Sequence, residues 1–127
     1  LIHCAETDKS IGGVMTLAIV EILYATGCRV SELCHLEAAP FRHRRQTIMI
    51  TGKGKKERMV ALTESALQAA EAWLDKRDQV PAYISQPWLF PSGRQDKPIS
   101  RQKIYQLLHD LAIRSGIDPD KMSPHVL

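Results

Sequence analysis

The sequence predicts a mainly helical α+β domain, a helical core carrying a small three-stranded antiparallel sheet, and three observations carry that expectation. Apolar residues recur at helical spacing in two well-separated segments, near residues 13–25 and 104–112. Between them, two runs rich in β-branched and apolar residues, 47–51 and 58–62, flank a glycine-punctuated turn, which is the pattern of a hairpin. The chain has 127 residues, 44% of them apolar and 24% charged, with seven glycines and seven prolines. That is enough to bury one core without disulfides or a metal, and it is not the composition of a disordered tail.

The first helix is expected from about residue 12 or 13 to 25. Val14, Leu17, Ala18, Glu21, Ile22 and Ala25 mark one face, while Met15, Ile19, Val20, Leu23 and Tyr24 fill the other. A helix apolar nearly all round is a buried one. Gly27 is placed to take the left-handed position that ends it. A short second helix carries Val30 to about Leu36, with Arg29 at the junction and Pro40 closing the region.

A third short strand is expected near 36–41, beside the hairpin whose turn is Gly52-Lys53-Gly54-Lys55-Lys56. Thr63 stands where an N-cap belongs, and 64 to about 79 reads as a helix with Ala66, Leu67, Ala70, Trp73 and Leu74 inward. The stretch 80–98 holds four of the seven prolines and reads as a loop anchored by Trp88, Leu89 and Phe90. Ser100 caps the amphipathic helix and Gly116 ends it. Pro124 then looks like the first residue of a new helix, so the domain is expected to be truncated at its C-terminus.

No run of 18 apolar residues exists, which predicts no transmembrane helix and no membrane partner. The opening LIHCAETDKS lacks the charged-then-apolar order of a secretory signal. Cys4, Cys28 and Cys34 are few and unpatterned, which suits a reducing cytoplasm. Cys28, Cys34 and His35 lack the pairing of a zinc site, and no P-loop or G-x-G-x-x-G occurs, so neither a metal nor another cofactor is expected.

The net charge of +3 is unevenly placed. Arg42, Arg44, Arg45, Lys53, Lys55, Lys56 and Arg58 stand against Glu57 alone, a window of +6, while ten basic and thirteen acidic side chains leave the remaining 110 residues at −3. A basic segment on a slightly acidic body points to a polyanion. The plainer reading is a solvated, lysine-rich hairpin.

The segments Ala25-Thr26-Gly27-Cys28-Arg29-Val30-Ser31-Glu32-Leu33 and Gly52-Lys53-Gly54-Lys55-Lys56-Glu57-Arg58 resemble the "ATGxRxSEL" junction and "GKGxKER" hairpin of the tyrosine recombinases, the phage-integrase and Xer-like family. Leu89-Phe90-Pro91 is similar to its "LFP" loop, and Ser123-Pro124-His125-Val126-Leu127 to the start of its "HxLRH" box. These motifs span nearly the whole chain in the family's order. The resemblance implies a catalytic-domain fold of the DNA breaking-rejoining type. It implies site-specific recombination or integration through a 3′-phosphotyrosyl intermediate, with duplex DNA and further recombinase protomers as partners.

The resemblance also implies roles for individual residues. Arg29 matches the first catalytic arginine, and its guanidinium can hold two phosphate oxygens at once. Without the motif, it reads as an arginine capping the preceding helix or pairing with Glu32. Lys53 matches the hairpin lysine that protonates the leaving 5′ oxygen, and its flanking glycines would let the turn approach DNA closely. Glu32 matches the acid that orients catalytic arginines, with a plain surface glutamate as its rival. His125 matches the histidine of the box, a phosphate partner or a proton acceptor for the nucleophile. From charge, Arg42, Arg44, Arg45, Lys55, Lys56 and Arg58 are the expected DNA contacts, although Lys55 and Lys56 read first as solvated turn lysines.

Tyr24, Tyr83 and Tyr105 all precede His125, and none matches the family's nucleophile. The expectation is therefore a partial catalytic domain. It would lack the N-terminal DNA-clamping domain and the nucleophile-bearing segment, and would be inactive alone. The alternative is a DNA-binding relative without catalysis. A basic-hairpin RNA binder is a more distant rival, since no Phe, Trp or Tyr lies in the basic window to stack on bases.

Overall fold

A computed structural model of the chain describes residues 10–94 and 96–116. His125 and Cys4 lie outside the described residues. Helix α1 runs Ile11–Thr26, its first turn closed by Gly13 N–H donating to Ser10 Oγ at 3.1 Å. Gly27 ends it at φ +63°, in the left-handed region, where its N–H donates to the Leu23 carbonyl at 2.9 Å. Ala18, Ile19, Val20, Ile22 and Leu23 are all in the core, as apolarity on both faces predicts, but Tyr24 is 64% exposed.

Helix α2 is the single turn Val30–Cys34, and α3 is another, Ala39–Arg42. Strands β1, Thr47–Thr51, and β2, Glu57–Ala61, pair antiparallel with Thr47 opposite Ala61 and Thr51 opposite Glu57. Ile48 and Ile50 point into the core while Met49 and Met59, paired across the strands, face solvent. Helix α4, Glu64–Arg77, is capped by Thr63 and packs along α1. Helix α5, Arg101–Arg114, is capped by Ser100 and buries Ile104, Leu108, Leu111 and Ala112.

The expected third strand is absent: among the described residues the sheet has two strands. Segment 36–41 makes one antiparallel bridge, Glu37 to Trp88, through Ala38 N–H to the Pro87 carbonyl and Leu89 N–H to the Leu36 carbonyl, both 2.8 Å. It then coils into α3. Pro40 explains the break, since it has no N–H for a ladder but fits the first turn of a helix.

The proline-rich loop is tied down from α4. Trp73 donates its indole N–H to the Leu89 carbonyl at 2.7 Å and stacks on Phe90. Arg77, fully buried, donates to the carbonyls of Gln86 at 2.6 Å and Trp88 at 2.8 Å and to Asp78 at 2.7 Å. Leu89 and Phe90 are thus core residues. Trp88 is only half-buried, its indole donating to the Asp96 carbonyl at 3.0 Å.

Candidate active site

Two corners of the fold face each other. At the first, the left-handed turn at Gly27 redirects the chain between α1 and α2, and Arg29 occupies the N-cap of α2 with extended backbone, φ −77° and ψ 155°. A side chain there leaves the corner instead of lying along a helix, and Arg29 is exposed. At the second, the β1–β2 turn is closed by Gly52 N–H to the Lys56 carbonyl at 2.7 Å and Lys55 N–H to the Gly52 carbonyl at 3.1 Å. Gly54 and Lys55 take φ values of +73° and +59°, and a glycine at the first of these avoids the strain another residue would meet. Lys53 is exposed on this turn, and it lines one open cleft with Arg29, Glu32, Lys56 and Arg58.

Glu32 joins the two corners. Its side chain is only 6% exposed, and its carboxylate accepts three hydrogen bonds. Oε1 takes the Arg29 backbone N–H at 2.8 Å and Arg58 Nη2 at 3.0 Å, while Oε2 takes Arg58 Nη1 at 2.8 Å. A buried carboxylate is costly unless paired and hydrogen-bonded, and here it is both. The Arg58 guanidinium holds the Glu32 carboxyl below the usual carboxylate range, against the upward pull of burial, and the Arg29 N–H adds to the effect. Arg58 is raised in turn by the same contact.

Sequence reasoning anticipated Arg29, Lys53 and Glu32 as a group, and the structure brings these three together. Glu32 holds the Arg29 backbone. The Arg29 side chain lines the cleft, and its guanidinium makes no ion pair within 4 Å to another described residue. The partner of Glu32 is Arg58, 26 positions away, which charge counting had grouped with the DNA contacts.

Two further features escaped the sequence. A Cβ on Gly52 would lie 2.7 Å from Glu32 Oε2, so this glycine makes room for the carboxylate, whatever DNA does. His35 lines a smaller groove adjoining Arg29 and Lys53, with its Nδ1 donating to the Ser31 carbonyl at 2.8 Å and its ring edge-on to Trp88. A lone histidine after a helix gives no signal of such a position.

The basic window divides in space. Arg42 forms a two-pronged pair with Asp78 at 2.6 and 2.8 Å, and Arg44 pairs with Glu64 at 2.7 Å and with Glu71, so both lie against α4. Arg45, Lys53, Lys55 and Lys56 are exposed and make no ion pair to another described residue. Among the described residues no group of three or more His, Cys, Asp or Glu side chains could hold a metal ion. Burial raises the Cys28 thiol and pushes Cys34 up to about 11, which keeps both protonated and unsuited to nucleophilic work. No described helix is long and apolar enough to cross a membrane.

Comparison with known proteins identifies the family. The model of the phage integrase family matches residues 1–127. Tyrosine recombinase XerD of Brucella suis is 39% identical over 125 residues, covering 98% of this chain and 40% of its own length. Tyrosine recombinase XerC of Erythrobacter litoralis is 37% identical over 123 residues, covering 97% and 38%. Among solved structures, XerA recombinase superposes with a TM-score of 0.75 at 28% identity, covering 98% of this chain and 42% of that one. XerH bound to its difH substrate in a pre-cleavage complex shares the fold, with a TM-score of 0.77 at 21% identity over 98% of this chain and 36% of that one. The chain spans about two fifths of the length of the curated relatives it matches.

Proposed function

The chain belongs to the phage integrase family, and from that premise we propose that it forms the phosphate-binding half of the active site of a tyrosine-type site-specific DNA recombinase. The observation that carries the proposal is the placement of Arg29 and Lys53 on one open cleft, fastened from beneath by the buried Glu32. Phosphoryl transfer asks a protein for positive charge at the non-bridging oxygens and a proton for the leaving oxygen. Arg29 offers the first and Lys53 the second. An arginine keeps its proton under all working conditions, whereas a lysine ammonium can give one up.

The reaction then runs without metal or nucleotide. A tyrosine oxygen, supplied from outside the described residues, attacks the phosphorus and displaces the 5′ oxygen. The result is a 3′-phosphotyrosyl bond and, with the Lys53 proton, a free 5′ hydroxyl. The bond energy is kept in that link, and a partner strand's hydroxyl reverses the step. His125 takes its place here as a phosphate partner or as the proton acceptor of the tyrosine. The partners are duplex DNA and further recombinase protomers bound to it.

The test uses the full-length protein and a duplex selected by it from random sequence, nicked near the cleavage point so that religation fails. A covalent protein–DNA adduct at a 3′ phosphate is the expected product. Binding without an adduct would instead identify a DNA-binding relative that does not cleave.

The same reading assigns the hairpin lysines to the DNA backbone. For this chain, Lys55→Ala combined with Lys56→Ala is expected to lower the slope of log K against log salt by roughly one to two units, since each phosphate contact contributes about 0.9. Arg42 and Arg44 could reach phosphate only by leaving the acids of α4, so their double substitution is expected to change the slope less. Fluorescence anisotropy across a salt series measures both. Equal changes would return the two arginines to the interface.

A further inference from the structure

We propose that Arg58 is a positioning residue: through Glu32 it clasps the hairpin turn to the start of α2, and so holds Lys53 and Arg29 on one cleft. The proposal rests on the functional reading above only for what Lys53 does once placed. Without the clasp, the turn would be joined to the rest of the site by its two strands alone. With it, one buried carboxylate takes a backbone N–H from the Arg29 corner and two guanidinium N–H groups from β2.

Gly52, the residue before Lys53, carries the second and independent observation. Its missing side chain leaves the space that Glu32 Oε2 fills, 2.7 Å from where a Cβ would stand. The turn is therefore seated against the carboxylate on one side by shape and on the other by charge. The rival role, a phosphate contact, fits Arg58 poorly, because both of its Nη atoms donate to Glu32 and its charge is matched there. Lysine cannot take over this work, since a single ammonium cannot span two carboxylate oxygens in the fork geometry of a guanidinium.

Three measurements decide it. In the isolated chain, a lysine-specific protease under native conditions is expected to nick Arg58→Gln and Gly52→Ala at Lys53, Lys55 and Lys56 several-fold faster than the parent, with Lys103 in α5 unaffected. Unchanged nicking in the turn overturns the clasp, and so does nicking that rises equally at Lys103, which would mean general unfolding in place of a local release. The salt slope of DNA binding by Arg58→Gln is expected to match the parent, whereas a fall of about 0.9 would make Arg58 a phosphate contact.

In the full-length protein, Arg58→Lys, which keeps the charge but not the fork, is expected to slow cleavage at least tenfold. Its defect is expected to shrink on a substrate whose bridging 5′ oxygen is sulfur, the signature of a misplaced proton donor. A wild-type rate for Arg58→Lys, or a defect that sulfur leaves untouched, overturns the positioning role. If the parent protein makes no covalent adduct at all, the functional reading fails, and nicking and salt slope still judge the clasp.

Discussion

Arg29→Ala in the full-length protein is expected to reduce strand cleavage by on the order of 10²-fold or more, the scale of losing one preorganised donor aimed at developing charge. DNA binding is expected to stay near the parent level. The reason for the split lies in where the side chain stands. Arg29 leaves the Gly27 corner with extended backbone, makes no ion pair within 4 Å to another described residue, and lines the cleft beside Lys53. On the proposed reading its charge is one of several that would face the DNA, with the exposed lysines of the turn supplying the rest. On the same reading, its two-pronged hydrogen bonding to the non-bridging oxygens of the transition state would have no substitute.

Single-turnover cleavage on a nicked duplex, with affinity measured separately, distinguishes the two effects. A variant that loses binding and cleavage in equal proportion would make Arg29 an anchor. Removing the side chain is not expected to unfold the corner, because Glu32 bonds the Arg29 backbone N–H, which alanine keeps.

Local chemistry made much of this arrangement legible from the sequence. The alternation in Thr47–Thr51 buries Ile48 and Ile50 as a two-residue period requires, and Thr63, Ser100 and Gly27 cap or end their helices through contacts spanning three or four positions. The failures are non-local. Segment 36–41 looked like a strand by composition, yet its neighbour is the proline-rich loop some fifty positions on, and Pro40 turns it helical. Nothing in the sequence marks Arg77, yet it is buried, its guanidinium donating three hydrogen bonds to the loop carbonyls of Gln86 and Trp88 and one to Asp78.

The site divides along the same line. Arg29, Glu32 and Lys53 could be named because each sits in a short motif. The pairing of Glu32 with Arg58 crosses 26 positions, and no spacing rule connects them. Charge counting placed Arg42 and Arg44 with the hairpin lysines because they are near in sequence, and the acids on α4 separate them in space. Gly52 is the instructive case: a glycine in a turn suggests backbone freedom or close approach to a ligand, and here it is a carboxylate of the same chain that approaches.

Lys53→Ala carries the other large effect, and it can be told apart from that of Arg29 by chemistry alone. Loss of a general acid is expected to slow cleavage by about 10²- to 10⁴-fold on an ordinary phosphodiester. On a substrate in which sulfur replaces the bridging 5′ oxygen, the leaving group is a thiolate, far less basic than an alkoxide, and it departs without a proton. The Lys53→Ala defect should therefore shrink on that substrate, while Arg29→Ala should gain no comparable rescue, because the non-bridging oxygens it serves are unchanged. The position of Lys53 fits a proton donor: it sits exposed on a turn whose next residue, Gly54, offers no side chain to shield it, on the cleft that Arg29 lines. Cleavage rates for the two variants on the two substrates form a four-cell comparison. Rescue confined to Lys53→Ala assigns it the proton. Equal rescue of both variants, or of neither, would remove Lys53 from that role and leave it one more cation along the DNA backbone.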